Sequence, residues 1–97
     1  MRVTDGFRAF VLEQLAGMES VHARAMFGGV GLYADDVFFG ILAADAVYLK
    51  VDAGKPMTMS SYYQVPARVL EDGDELTAWA RASVRVAARA TPRKARR

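Results

Sequence analysis

Apolar residues near the start of the chain recur every three or four positions. Phe7, Phe10, Val11, Leu15 and Met18 form one stripe, which predicts a helix over about residues 4–17. Thr4 is placed to accept from the first free backbone N–H groups, and Asp5 suits the positive end of the helix dipole. Gly17 is expected to end the helix in the left-handed conformation. From Val21 the period drops to two. Val21, Ala23, Ala25 and Phe27 share one strand face, and His22, Arg24 and Met26 share the other. Gly28-Gly29 breaks this strand, Val30 to Tyr33 forms the next, and Asp35-Asp36 is a turn.

Val37 to Leu42 is a continuous apolar run of strand length, the mark of a central strand. Past a turn at Asp45, Val47, Leu49 and Val51 alternate with Tyr48, Lys50 and Asp52. Strands joined by links this short must be antiparallel. Ala53 to Pro56 reads as a loop, Met57 to Val65 as a further strand stopped by Pro66, and Pro66 to Leu70 as a short helical turn. Asp72, followed three residues later by Glu75, has the spacing of a capping box. The helix it opens carries Leu76, Trp79, Ala80, Ser83, Val84 and Ala87 on one face and Arg81, Arg85 and Arg89 on the other, and Pro92 should end it. The predicted fold is α+β: an antiparallel sheet of four or five strands with an N-terminal and a C-terminal helix packed on it. Its expected core joins Phe7, Phe10, Val11 and Leu15 to Phe39, Ile41, Leu49, Val51 and Trp79.

At 97 residues there is room for one domain, taken as residues 1–91, with a basic tail at 92–97. The absence of cysteine excludes disulfides, thiol catalysis and thiolate metal sites, and the single histidine, His22, excludes any site needing two. Neither a secretory leader nor a membrane span is apparent, so a cytoplasmic location and no membrane partner are expected. The formal charge of +2 conceals an asymmetry. Residues 1–80 hold six basic and eleven acidic residues, a net of −5, whereas residues 81–97 hold seven basic residues and no acidic one.

The segment Ala23-Arg24-Ala25-Met26-Phe27-Gly28-Gly29-Val30-Gly31-Leu32-Tyr33 resembles the signature of the TfoX/Sxy N-terminal domain family. In that signature an arginine precedes Met-Phe-Gly-Gly, one residue, Gly, an apolar residue and Tyr. Three further blocks fit in order: the strand Val37 to Leu42, Tyr48-Leu49-Lys50-Val51-Asp52, and Ser61 to Pro66 followed by Leu76, Trp79 and Ala80. The resemblance covers about residues 5–90 and implies a small α+β domain. Founding members of the family look like regulators of bacterial natural competence, acting with a cyclic-AMP receptor protein at promoters and carrying a second domain that the 97 residues do not hold. The stretch from Ala53 to Ser60 is shorter than is usual in the family. The expectation is a surface loop left out within residues 53–58, or else a shortened member.

Each candidate site has a plainer explanation. Gly28, Gly29 and Gly31 resemble a phosphate loop, but a strand follows them where that chemistry needs a helix, so a turn or close approach explains them better. Asp35, Asp36, Asp45 and Asp52 suit turns as well as a divalent cation, and no metal site or cofactor is expected. His22 beside Arg24 suggests a general base with an anion anchor, but nothing is placed to complete a catalytic site. Arg24 itself suits a structural role, its fork holding carbonyls or a carboxylate. Phe38, Phe39, Tyr48, Tyr62 and Tyr63 are candidate stacking groups for single-stranded nucleic acid, with core packing the preferred reading.

Arg81, Arg85, Arg89, Arg93, Lys94, Arg96 and Arg97 are the candidate contacts to nucleic acid or an acidic partner. The expected function is a non-enzymatic regulatory or protein-interaction domain, with a protein partner in the transcription machinery. The alternative is weak, sequence-independent nucleic-acid binding through the C-terminal arginines. Homodimerisation through a sheet edge or an apolar face is also expected.

Overall fold

The computed structural model describes residues 3–26, 28–51 and 62–90. In chain order these form α1 (Asp5–Gln14), β1 (Val21–Met26), β2 (Gly29–Ala34), β3 (Val37–Ala43), β4 (Ala46–Lys50), β5 (Tyr62–Gln64), α2 (Ala67–Leu70) and α3 (Gly73–Ala90). The strands make one antiparallel sheet in the order β1-β2-β3-β4-β5, each paired with the next. This is the α+β architecture that the periodicities predict. The expected loop at 53–58, the start of the last strand and the end of α3 at Pro92 lie outside the described residues.

Local chemistry explains the ends of the elements. Thr4 Oγ accepts from the Phe7 backbone N–H at 3.1 Å, and the Asp45 carboxylate in turn accepts from the Thr4 N–H at 3.0 Å. The turn joining β3 to β4 therefore clasps the start of α1. That turn is tight: Ala44 and Asp45 both adopt positive φ, as a two-residue hairpin loop requires. α1 closes earlier than expected, at Gln14, with Leu15 as its C-cap. Gly17 is not in the left-handed region; the positive φ in this connection belongs to Ser20. At the start of α3 the Asp72 carboxylate accepts from the Glu75 N–H at 3.1 Å. Glu75 does not complete the reciprocal box, because its own carboxylate turns to Arg68 at 3.2 Å.

All three helices lie on one face of the sheet. The core beneath them comprises Val11 and Leu15 of α1, Val30 and Leu32 of β2, Phe39 and Leu42 of β3, Val47 and Leu49 of β4, and Val65, Val69, Leu76, Ala80 and Ala87 beyond. Three residues expected in this core are outside it. Phe10 lies on the flank of α1 and is exposed, and Val51 follows the last residue of β4 and is 53% exposed. Ile41 sits on the opposite face of the sheet, paired with Gly31 and Tyr48.

The third displacement has a definite cause. Leu32 pairs with Gly40 and Tyr33 with Phe38, so Phe39 is an extra residue, a β-bulge. The bulge turns both Phe39 and Gly40 toward the helices. Phe39 is fully buried, and a Cβ built on Gly40 would lie 3.0 Å from Leu49 Cδ2 and 3.3 Å from Leu32 Cδ1. Phe39 has no register partner on β2 or β4, and its carbonyl meets a helix side chain. Ser83, buried on α3, answers it: its Oγ lies 2.8 Å from the Phe39 oxygen and 2.9 Å from the Lys50 oxygen. Its one proton serves one of these carbonyls at a time.

Trp79 is half-buried. It packs at the rim of the core with its ring 6.0 Å from that of Tyr63.

Candidate functional site

The strand register sorts the signature residues. Arg24 pairs with Gly31, His22 with Tyr33, and Met26 with Gly29, and all of these positions face away from the helices. Phe38 pairs with Tyr33, and Ile41 with Gly31, on the same outer face. Arg24, Met26, Gly29, Gly31 and Tyr33, separated along the chain, thus meet on the side of the sheet that none of the described helices covers. Of the other two signature residues, Phe27 lies outside the described residues, and Gly28 makes the β1–β2 turn at φ 80°.

Aromatic rings run across this face from strand to strand. The His22 ring stacks on Tyr33 with centroids 5.4 Å apart and planes 7° from parallel. Tyr33 and Phe38 follow at 5.2 Å, and Phe38 and Tyr62 at 6.5 Å. The Arg24 guanidinium carbon lies 5.8 Å from the Tyr33 centroid, and Lys50 Nζ lies 5.3 Å from that of Tyr62. Both distances are within cation–π range. The strand connectivity makes this row possible. Gly31 sits under the rings, and a Cβ there would come within 2.6 Å of Met26 Sδ and 2.9 Å of Phe38 Cε1. Glycine lets Tyr33 and Phe38 lie down over the backbone. The close backbone approach expected among these glycines occurs at Gly29, where a Cβ would lie 2.7 Å from the Leu42 carbonyl oxygen.

The row is open at one end and closed at the other. His22 and Arg24 are exposed, while Met26, Tyr33, Phe38, Ile41 and Tyr48 are half-buried. Lys50 and Tyr62 are buried. Burial disfavours the phenolate and pushes the Tyr62 hydroxyl above its ordinary pKa.

Of the five aromatic residues weighed as stacking groups, only Phe39 is fully buried in the core. Phe38, Tyr48 and Tyr62 are on the outer face, and Tyr63 lies by Trp79 with 53% exposure. The alternation seen in β1 separates His22, Arg24 and Met26 from the core correctly. The run in β3 hides its bulge and so conceals which of its residues face out.

The other candidates are scattered. Asp35 and Asp36 occupy the β2–β3 turn, Asp45 is engaged by Thr4, and Asp52 lies outside the described residues. Among the described residues no group of three or more His, Asp or Glu side chains gathers to hold a metal ion. Arg81, Arg85 and Arg89 are exposed on α3, but Arg81 donates to the Gly17 carbonyl at 3.0 Å and so ties α3 to the end of α1. Arg93, Lys94, Arg96 and Arg97 lie outside the described residues. Among the described residues no helix is long and apolar enough to cross a membrane.

Comparison with known proteins agrees with the signature. No curated protein matches the chain. The sequence profile of the TfoX N-terminal domain matches residues 13–87, a span that runs from the end of α1 through the sheet and most of α3. All five strands and the ordered signature blocks are in that span, and the chain belongs to the TfoX N-terminal domain family.

Proposed function

We propose that this domain is a non-enzymatic interaction module of a regulatory kind, cytoplasmic, that binds a protein of the transcription machinery through the outer face of its sheet. The observation that carries the reading is the convergence of Arg24, Met26, Gly31 and Tyr33 on that face, beside Phe38 and Ile41. Arginine, tyrosine, methionine and phenylalanine are the residues enriched at the centres of protein interfaces, and carboxylates are depleted there. None of the five strands contains an aspartate or glutamate. The regulatory part of the reading rests on family membership.

A second reading is supported by Arg85 and Arg89, which stand exposed four residues apart on α3. It is weak, salt-dependent binding of nucleic acid through phosphate contacts. A photo-crosslinking residue placed at Tyr33 or at Arg85 in the native cell separates the two. The first reading expects a protein adduct from position 33 that survives nuclease, with none from position 85. Nuclease-sensitive adducts from position 85 alone would overturn it.

A further inference from the structure

We propose that the open end of the outer face receives a segment of a partner protein that presents a carboxylate to Arg24 and an apolar side chain to the rings beside it. This rests on the protein-interaction reading above and names the chemistry of the partner.

The argument begins with Arg24. Its guanidinium is held over the Tyr33 ring, which His22 flanks in a parallel stack. The residue opposite it across the ladder is Gly31, so no side chain there competes for the position. Three other arginines have acceptors: Arg8 donates to the Ala23 carbonyl, Arg68 to Glu75 and Arg81 to the Gly17 carbonyl. Arg85 and Arg89 on α3 have none among the described residues, but they stand on a helix without rings beside them. Among the described residues nothing accepts from Arg24. It is exposed, and its five N–H donors form a planar fork that fits a carboxylate in two-point contact. The sequence expectation of a structural anchor for strand carbonyls or a carboxylate is therefore not met within the described residues.

The surroundings select among occupants. Half-buried Tyr33, Phe38, Ile41 and Tyr48 supply an apolar floor, and the strands bring no carboxylate to compensate Arg24. A single-stranded nucleic acid needs a cationic groove that follows its backbone, whereas the open end offers one arginine on a body whose first 80 residues sum to −5. A second copy paired symmetrically through this face would set one carboxylate-free surface against another. A peptide with an acidic residue near an apolar one satisfies both the fork and the rings.

The test starts from a phage-displayed random peptide library selected on the full chain, followed by a synthetic copy of the most enriched peptide. Enriched peptides should carry Asp or Glu close to Tyr, Phe, Leu or Ile. The affinity of that peptide should fall roughly tenfold in Arg24→Gln, as expected for losing a charged hydrogen-bonded pair, and severalfold in Arg24→Lys, which keeps the charge without the fork. Arg85→Gln should leave it unchanged, and circular dichroism should show each variant folded.

Four results would overturn the proposal: no enrichment, enrichment of peptides without carboxylates, equal binding by Arg24→Gln, or self-association through this face that excludes the peptide. Tighter binding of oligo-deoxythymidine at the same residues would overturn it in favour of nucleic acid. If the protein adduct from position 33 persists unchanged in Arg24→Gln, the acidic-peptide inference falls while the interaction reading stands. If position 33 yields no adduct even with native Arg24, the interaction reading itself falls.

Discussion

Two surfaces are built from the same five strands, and they solve different problems. The inner face fills its space with branched aliphatic residues and Phe39, and α1 and α3 exclude water from it. The outer face fills its space with rings laid over glycine, and its cations lie against those rings. On the inner face Leu32, Leu42 and Phe39 show no exposed area, so each is fixed by its neighbours. On the outer face burial rises along the row, from exposed His22 through half-buried Tyr33 and Phe38 to buried Tyr62, and the placing of Tyr33 and Phe38 depends on the absence of a side chain at Gly31. A sheet in a small domain needs only one dry face to fold. The other is then available for recognition.

The widest separation between the faces should appear on truncation. Leu32→Ala, in the middle of the inner face, should cost about 2–5 kcal/mol in urea denaturation, a large part of the stability of a small domain. Ile41→Ala, its counterpart on the outer face, should cost well under half of that. Equal losses would mean that both faces are core and would break the comparison.

The glycines sharpen it next. Gly31→Ala should destabilise by about 1–3 kcal/mol, because its Cβ collides with Met26 and Phe38. Met26 is flexible and half-exposed, so Met26→Ala in the same chain should restore part of the loss. Gly40→Ala meets the Tyr48 carbonyl and Leu49 on the inner side and should not be rescued by any outer-face change. A double-mutant cycle on thermal unfolding checks both statements.

Ser83→Ala tests the bulge. It leaves the Phe39 and Lys50 carbonyls without their hydroxyl donor, and the loss should be about 1–2 kcal/mol. If the peptide affinity of the outer face changes as well, the two faces communicate through β3. The smallest effect should come from Tyr62, at the closed end of the row. Burial holds its proton in the fold, so the unfolded chain ionises first as the pH passes about 10. The contribution is fully present below that pH and is lost as the pH rises through the folded value. Tyr62→Phe should therefore flatten the alkaline limb of the stability profile.

How much of this was legible in the sequence depended on whether the signal was periodic. The Thr4 cap, the Asp72 start and the two faces of β1 follow from local chemistry or strict alternation. The bulge does not. Val37 to Leu42 is apolar throughout, so an added residue leaves no trace in the pattern, and Ile41 is placed in the core when it lies outside. Glu75 has the right spacing for a capping box, but Arg68 arrives from α2 and takes its carboxylate, a tertiary contact that spacing cannot show. The signature was visible as an ordered string of residue types. That its arginine, methionine, glycines and tyrosine form one surface required the register between β1 and β2.

The meander has a consequence for the order in which the molecule is made. Each strand pairs with its immediate successor, so the first four can zip together as soon as residue 50 leaves the ribosome. At that moment the signature surface, with Arg24, Tyr33 and Phe38, is already synthesised in full. The opposite side is not, because α3, which supplies Leu76, Ala80 and Ala87, is still to be synthesised. The nascent chain thus holds the strands that carry Arg24, Tyr33 and Phe38 early, while the inner face stays bare until α3 arrives. The step most exposed to aggregation is the wait for α3.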